Sequence, residues 1–278
     1  MIITHNIPWD KCLSHQIWPA IGKGWKDEDK PIHFFWGLAG KNIGDIKRCI
    51  EADEEWWYVD VGYLTEQITR YPEPIINNFD KTYFRIVKGG LHTIRGHVGN
   101  GSRLSELANK GIDTKFKGWN TTDNKDDKHI LVCPSSPTVT YHINGMTQQE
   151  WINEITEELK KHTKRKIVVR NKPRPGNQWW NTDIKDELKN AHCLVTNMSL
   201  AAVDAVMNYV PAIAHGKNIA SPITSRDLKY VERPFKPGKK TMEEWLKFVV
   251  DNQFTLSEIE NGTAYNLLKE QQNGLKQL

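Results

Sequence analysis

Residues suited to holding an anion recur at three points of the chain, each directly after an apolar run. In "HCLVTNMSLAAVDAVMNYVPAIAH" the run His192–Thr196 delivers the chain to Asn197 and Ser199, and a stretch rich in Ala and Val follows. A helix N-terminus carries unsatisfied N–H groups and the positive end of a dipole. Ser199, Leu200, Ala201 and Ala202 at such a terminus would present amides to a diphosphate, with Asn197 and the Ser199 hydroxyl adding side-chain contacts; as an alternative, Ser199 is an ordinary N-cap. Asp204, one turn on, meets either a ribose hydroxyl or solvent. "CPSSPTVTYH" sets Ser135 and Ser136 in a hydroxyl-rich loop after a second run, suited to phosphate, to a sugar or to a turn. "RNKPRPGNQWW" sets Arg170, Lys172 and Arg174 after a third, where cations would neutralise a departing phosphate. Trp179 and Trp180 beside them read as a stacking platform or as packing anchors.

Proton transfer needs a carboxylate or an imidazole within reach of a hydroxyl. Asp60 ends the run "WWYVD" and precedes a Val61-Gly62-Tyr63 turn, which makes it the first candidate base or, alternatively, a turn cap. Asp45 and His92 stand in reserve. The acidic triplet Asp27–Asp29 lies in a charged loop, His92 and His97 lack the helical spacing of a zinc pair, and HExxH and CxxC are absent. No metal is expected. GxSxG and the P-loop pattern are also missing, which argues against the common serine hydrolases and P-loop NTPases.

The elements that must position these groups follow from apolar periodicity. Strand Ile32–Leu38, the turn "AGKNIG", a helix near Asp45–Ala52 and strand Trp56–Asp60 read as part of a buried parallel sheet. A strand at Tyr83–Val87 and a helix Ser102–Gly111 come next, and the polar stretch Asn120–Lys128 is the linker candidate. Beyond it, strands His129–Pro134, Lys166–Asn171, His192–Thr196 and Pro211–His215 alternate with helices. Thr147 and Glu150 form a capping box for the first of these, and Asp183–Ala191 is the second. Such alternation implies a doubly wound sheet. Helices close the chain at Thr241–Asn252 and from Ser257 onward, broken near Gly262. The expected domains are 1–125, 126–240 and a helical tail 241–278 packing back across them.

The chain has 278 residues with a formal charge of +4 and 38% hydrophobic residues, a globular composition. No run is long enough to span a membrane, and the first ten residues lack a signal pattern, which predicts a cytoplasmic protein. Cys12, Cys49, Cys133 and Cys193 are widely spaced and read as buried free thiols, with disulfides or zinc ligation as the alternative. Charge is uneven: Lys81–Lys128 holds 10 basic against 5 acidic residues. There Arg85, Lys88, Arg95, Arg103, Lys110, Lys115 and Lys117 interleave with Tyr83, Phe84, Phe116 and Trp119, a mixture suited to phosphate contact with base stacking, or to a plain solvated face. The 11 tryptophans suit cores, sugar platforms or base stacking.

The order of "HILVCPSSP", "KIVVRNKP" and "LKNAHCLVTNMSLAAVDAVMNYVPAIA" resembles the donor-binding half of GT-B glycosyltransferases, a pattern that sugar-nucleotide 2-epimerases share. "FFWGLAGKN", "WWYVDVGY", "TYFRIVKGG" and the tail "FVVDNQFTLSEIENGTAYNLL" resemble phage-encoded glycosyltransferases, some of which modify hydroxymethylated pyrimidines in DNA. The resemblance implies an α/β fold of the GT-B type, two Rossmann-like domains with a cleft between them. It implies transfer of a hexose or pentose from a nucleotide-sugar, such as a UDP-sugar, to the hydroxymethyl group of a pyrimidine in phage DNA, in the host cytoplasm. The donor would contact Ser135, Ser136, Arg170, Lys172, Asn197, Ser199, Leu200, Ala201 and Asp204, with Asp60 as base. Duplex DNA would lie along Arg85, Lys88, Arg95, Arg103, Lys115, Lys117 and Trp119, its target base flipped out. A monomer with no cofactor beyond the co-substrate, no metal and no membrane partner is expected. The alternatives are a glycan or small acceptor, epimerisation of a sugar-nucleotide, or non-catalytic nucleic-acid binding.

Overall fold

The computed structural model describes residues 1–7, 12–26, 28–65, 68–69, 74–94, 99–119 and 128–275. Arg95, His97, Asp27 and residues 120–127 of the expected linker, with the expected domain boundary at 125/126, lie outside the described residues. In chain order the elements are β1 (Ile2–His5), α1 (Ser14–Gly24), β2 (Ile32–Trp36), α2 (Asn42–Glu51), β3 (Glu55–Val61), β4 (Ile68–Thr69), β5 (Ile75–Ile76), β6 (Tyr83–Lys88) and α3 (Ser102–Asn109). There follow β7 (His129–Val132), α4 (Pro137–Asn144), α5 (Gln148–Lys160), β8 (Ile167–Val169), α6 (Ile184–Leu188), β9 (Ala191–Thr196), α7 (Ala201–Met207) and β10 (Ala212–Ala214). The chain closes with α8 (Lys239–Asp251), β11 (Phe254–Thr255), α9 (Leu256–Glu260) and α10 (Thr263–Leu275).

Two compact units result, Met1–Thr114 with Leu246–Leu278, and Lys115–Trp245. The tail from Leu246 therefore belongs to the first unit. That unit holds a five-stranded sheet in the order β1-β2-β3-β6-β11. Strands β1, β2 and β3 run parallel, as expected for the runs at Ile32 and Trp56, but β6 is antiparallel to β3 and β11 antiparallel to β6, so the whole sheet is mixed. The reason lies in the connection. A parallel return needs a crossover of a dozen or more residues, usually a helix, whereas the described residues between β3 and β6 form only the β4-β5 ribbon and one 3-10 turn.

All five residues of β2 are buried, as a strand covered on both faces requires. Trp25 packs edge-on against Phe34 at 4.9 Å and Trp57 at 5.1 Å, contacts worth about 0.5–1.5 kcal/mol each beyond the area they bury. Five of the tryptophans, Trp25, Trp36, Trp57, Trp151 and Trp245, are buried inside the units. Helix α1 meets α9 so closely that a Cβ on Gly24 would stand 1.8 Å from the Ile259 carbonyl oxygen.

The second unit has a four-stranded, wholly parallel sheet in the order β10-β9-β7-β8. Its core joins Ile130, Val132, Cys193, Val195 and Ile213 to Trp151, Ile152, Ile155 and Leu159 of α5. The capping box that opens α5 is complete: the Thr147 hydroxyl accepts from the Glu150 amide at 3.2 Å and the Glu150 carboxylate accepts from the Thr147 amide at 2.7 Å. All four cysteines are buried and unbridged.

Candidate functional site

By chain position the second sheet runs second, first, third, fourth. In such a doubly wound sheet the crevice between the first and third strands, at their carboxyl ends, is where ligands bind. The segments that leave β7 and β9, Cys133–Ser136 and Asn197–Leu200, meet there. The Thr196 hydroxyl donates to the Cys133 carbonyl at 2.6 Å, and the Ser135 hydroxyl accepts from the Met198 amide at 3.1 Å. Asn197 donates through Nδ2 to Asn144 Oδ1 at 2.6 Å, and Asn218 donates through Nδ2 to the Ser199 carbonyl at 2.9 Å. Gly216 completes the set, since a Cβ there would fall 2.0 Å from Asn197 Oδ1.

This stitching corrects several expectations. Ser135 and Asn197, at 3% and 2% exposure, tie one loop to another. Helix α7 begins at Ala201 with Leu200 at its cap position, and the Ser199 hydroxyl accepts from the Ala201 amide at 3.2 Å. The Ser199 amide donates to Thr196 Oγ1 at 3.3 Å and the Ala202 amide to the Ser199 carbonyl at 3.3 Å. Most amides expected to cradle a phosphate are thus satisfied within the protein. Ser136 caps α4, accepting from the Val139 amide at 3.4 Å, so the hydroxyl-rich "loop" is a helix from Pro137.

Arg170 is also turned inward. At 3% exposure it donates to Thr182 Oγ1 at 2.8 Å and to the Thr182 carbonyl at 3.0 Å, pairs with Glu187 at 3.0 Å, and lies 5.0 Å from the Trp179 ring centre. It pins the segment between β8 and α6, while the Lys172 carbonyl accepts from Asn177 Nδ2 at 3.1 Å. Among the expected donor contacts, those partly or fully exposed at the carboxyl edge are Ser136, Lys172, Ser199, Leu200 and, one turn into α7, Asp204. His215 and Lys217, not among the residues expected from the sequence, are exposed directly beyond β10. The signal for them was available, since a residue after the fourth strand of a doubly wound sheet is by topology at the same edge.

In the first unit Asp60 lies on β3 directly opposite Arg85 of β6. Its Oδ2 accepts from Arg85 Nη2 at 2.9 Å and from the Tyr58 hydroxyl at 2.6 Å, and Oδ1 accepts from the Val61 amide at 2.7 Å. Burial, reinforced by Asp60, pushes the Tyr58 phenol up, so it stays protonated and donates. Burial opposes the Arg85 charge, but Asp60, Tyr58 and Tyr63 outweigh it. Asp60 is a charge held in place, one third exposed. Asp45 sits in α2 against Arg48 and 3.3 Å from His5 Nδ1. Burial works to raise its carboxyl, yet Arg48, His5 and Lys41 together hold it below the ordinary value. His92 is buried and stacked on Tyr63 with ring centres 6.0 Å apart.

Among the described residues, four cations of the basic stretch are engaged within the first unit. Arg85 is 6% exposed and spoken for by Asp60; Lys88 pairs with Glu55 at 2.5 Å; Lys110 pairs with Glu106 at 2.7 Å. Arg103 is bonded to Glu258, to the Gln253 carbonyl at 2.7 Å and to the Val250 carbonyl at 3.3 Å. The interleaved Tyr83 and Phe84 are core residues. Trp119 donates to the Pro237 carbonyl at 2.9 Å and packs edge-on against Phe116. Lys115 and Lys117 open the second unit.

No family model and no curated protein sequence matches the chain. Solved structures do. A Thermosulfurimonas dismutans KpsC β-Kdo 2,7 transferase superimposes with a TM-score of 0.50 at 11% identity, over 95% of this chain and 99% of that one. The KpsC β-Kdo 2,4 transferase of the same organism gives 0.52 at 11% identity, over 89% of each chain. The chain has the two-domain, Rossmann-like α/β fold of the GT-B type. Among the described residues no helix is long and apolar enough to cross a membrane.

Proposed function

We propose that this protein is a glycosyltransferase, moving a sugar from a nucleotide-sugar to a hydroxyl acceptor. The observation that carries this reading is the stitched crevice of the second sheet, where two strand-end loops are locked together at the position where such sheets bind nucleotides. The fold in common with two Kdo transferases supports transfer chemistry. On this reading Ser136, Ser199 and Lys217 face the donor phosphates, and Asn197, Ser135, Asn144 and Asn218 hold the loops that carry them. Asp60, oriented at the carboxyl end of β3, is the acceptor-side carboxylate.

A glycan or other sugar hydroxyl suits the acceptor better than DNA, because Arg85, Lys88, Arg103 and Lys110 are engaged within the first unit. A hydroxymethylpyrimidine acceptor would rest, among the described residues, on Lys115, Lys117 and Trp119. The test is incubation with a pool of nucleotide-sugars and, in separate arms, oligosaccharide acceptors or hydroxymethylated DNA, with mass spectrometry of the products. A sugar increment on the oligosaccharide supports the whole reading, and one on DNA restores the nucleic-acid acceptor. Lys217→Ala should weaken donor binding about tenfold, the scale of one charge-assisted phosphate contact. Failure of the wild-type chain to bind any nucleotide or nucleotide-sugar would sink the proposal.

A further inference from the structure

A line of polar side chains crosses one face of the first sheet. Strands β1 and β2 are parallel, with Ile3 opposite His33 and His5 opposite Phe35, so His5 and His33 point to the same side. Helix α2 brings Asp45 and Cys49 to that side. His5 Nδ1 lies 3.3 Å from Asp45 Oδ2, and His5 Nε2 lies 2.9 Å from His33 Nδ1. At the far end His33 Nε2 is buried and lies 3.1 Å from Glu54 Oε2, but the two are not aligned as a hydrogen bond. A ring nitrogen of His33, the Cys49 sulfur and a Glu54 carboxylate oxygen all fall within 4.8 Å of one another. The turn after α2 creates this proximity: Asp53 takes a positive φ of 52°, and the Glu54 amide donates back to the Cys49 carbonyl at 2.8 Å.

We propose that His33, Cys49 and Glu54 form a binding site for a divalent cation of the zinc class, His33 through Nε2, Cys49 as thiolate and Glu54 through one carboxylate oxygen. One nitrogen, one sulfur and one oxygen donor are a zinc ligand set, and three side chains leave a fourth position for water. Around a tetrahedral zinc ion neighbouring donor atoms stand about 3.3–3.7 Å apart, so the widest pair must close by about 1 Å. Glu54, whose side chain is 39% exposed, has the freedom to do so.

An unpartnered buried nitrogen favours the occupied site. Of the three contacts Asp45–His5, His5–His33 and His33–Glu54, only His5–His33 is a hydrogen bond; His33 Nε2, buried at the Glu54 end, has no hydrogen-bond partner among the described residues and is left as a nitrogen donor facing a carboxylate oxygen. With a cation on His33 Nε2, His33 Nδ1–H donates to His5 Nε2 and His5 Nδ1–H donates to Asp45. His5 and Asp45 then become the outer partners that orient a ligating histidine. Cys49 is 3% exposed, and burial with Glu54 nearby raises its thiol, so binding must displace the thiol proton to solvent. The site lies at the amino edge of the parallel strands, away from the edge that binds ligands in such sheets. Its effect is therefore to clamp β2, α2 and the start of β3. The expectation of no metal arose because the three donors come from a strand, a helix and a turn, and no local spacing connects them.

Protein stripped with a chelator is titrated with Co²⁺ and followed by absorption. One Co²⁺ per chain with a thiolate-to-cobalt charge-transfer band, displaced by Zn²⁺, is expected. Cys49→Ser should lose the band, and Glu54→Gln should bind Co²⁺ at least about tenfold more weakly, both with native circular dichroism. No band in the wild-type chain, or a band that survives Cys49→Ser, overturns the site. Glu54→Gln removes only a part-exposed carboxylate and so folds whatever becomes of Cys49→Ser; unchanged Co²⁺ affinity in that variant overturns it as well.

Discussion

Arg85 and Asp60 show how a residue's meaning depends on a partner the sequence hides. Arg85 stands among cations and aromatics, and that company suggests a phosphate-binding face. Its counter-charge comes from the neighbouring strand, with the Tyr58 and Tyr63 rings at 5.4 Å and 5.5 Å from the guanidinium. Arg103 was misleading for the same reason, because Glu258 lies far along the chain. Removing Asp60 leaves the buried Arg85 charge uncompensated, so Asp60→Ala should cost about 3–5 kcal/mol of stability in urea unfolding. Replacing both partners together, with Arg85→Met and Asp60→Leu, should recover most of that loss. A single variant with unchanged stability would show that the pair is solvated and that Arg85 is open to a ligand.

At the scale of elements, legibility tracked the length and purity of the apolar run. Strands β7, β9 and β10 and the helix capped by Thr147 were visible because their periodicity is local. Strand β1 was missed because Thr4 and His5 interrupt a run of four residues, and β11 because two residues carry no period at all. Helix α4 was hidden by its Pro, Ser and Thr content, which suits a cap and first turn as well as a loop. The candidate site was legible as loops and misjudged as side chains: its position follows from strand order, but which hydroxyls face inward depends on Asn144, Gly216 and Asn218, each remote in sequence. The closure of α2 makes a quantitative prediction. Asp53 occupies the left-handed region where glycine is the usual residue, so Asp53→Gly should raise stability by about 0.5 kcal/mol and Asp53→Val should lower it by about 1 kcal/mol or more. Thermal unfolding that ranks the three otherwise would mean the turn relaxes.

At the scale of the whole molecule, the second unit is one continuous stretch with a core of its own, whereas the first draws on two separated stretches. A fragment spanning Lys115–Trp245 should therefore unfold cooperatively in urea by itself, and a chain stopped after Asn252 should lose the cooperative transition of the first unit. Loss of both transitions in the shortened chain would mean that the second unit depends on the first. The pairing of β11 with β6 also has a meaning for synthesis on the ribosome. Tyr83–Lys88 emerges early, yet the strand that covers its edge is made only after the entire second unit. Until Phe254 and Thr255 appear, the nascent first sheet presents an uncovered edge, open to pairing with a neighbouring polypeptide or to capture by a chaperone.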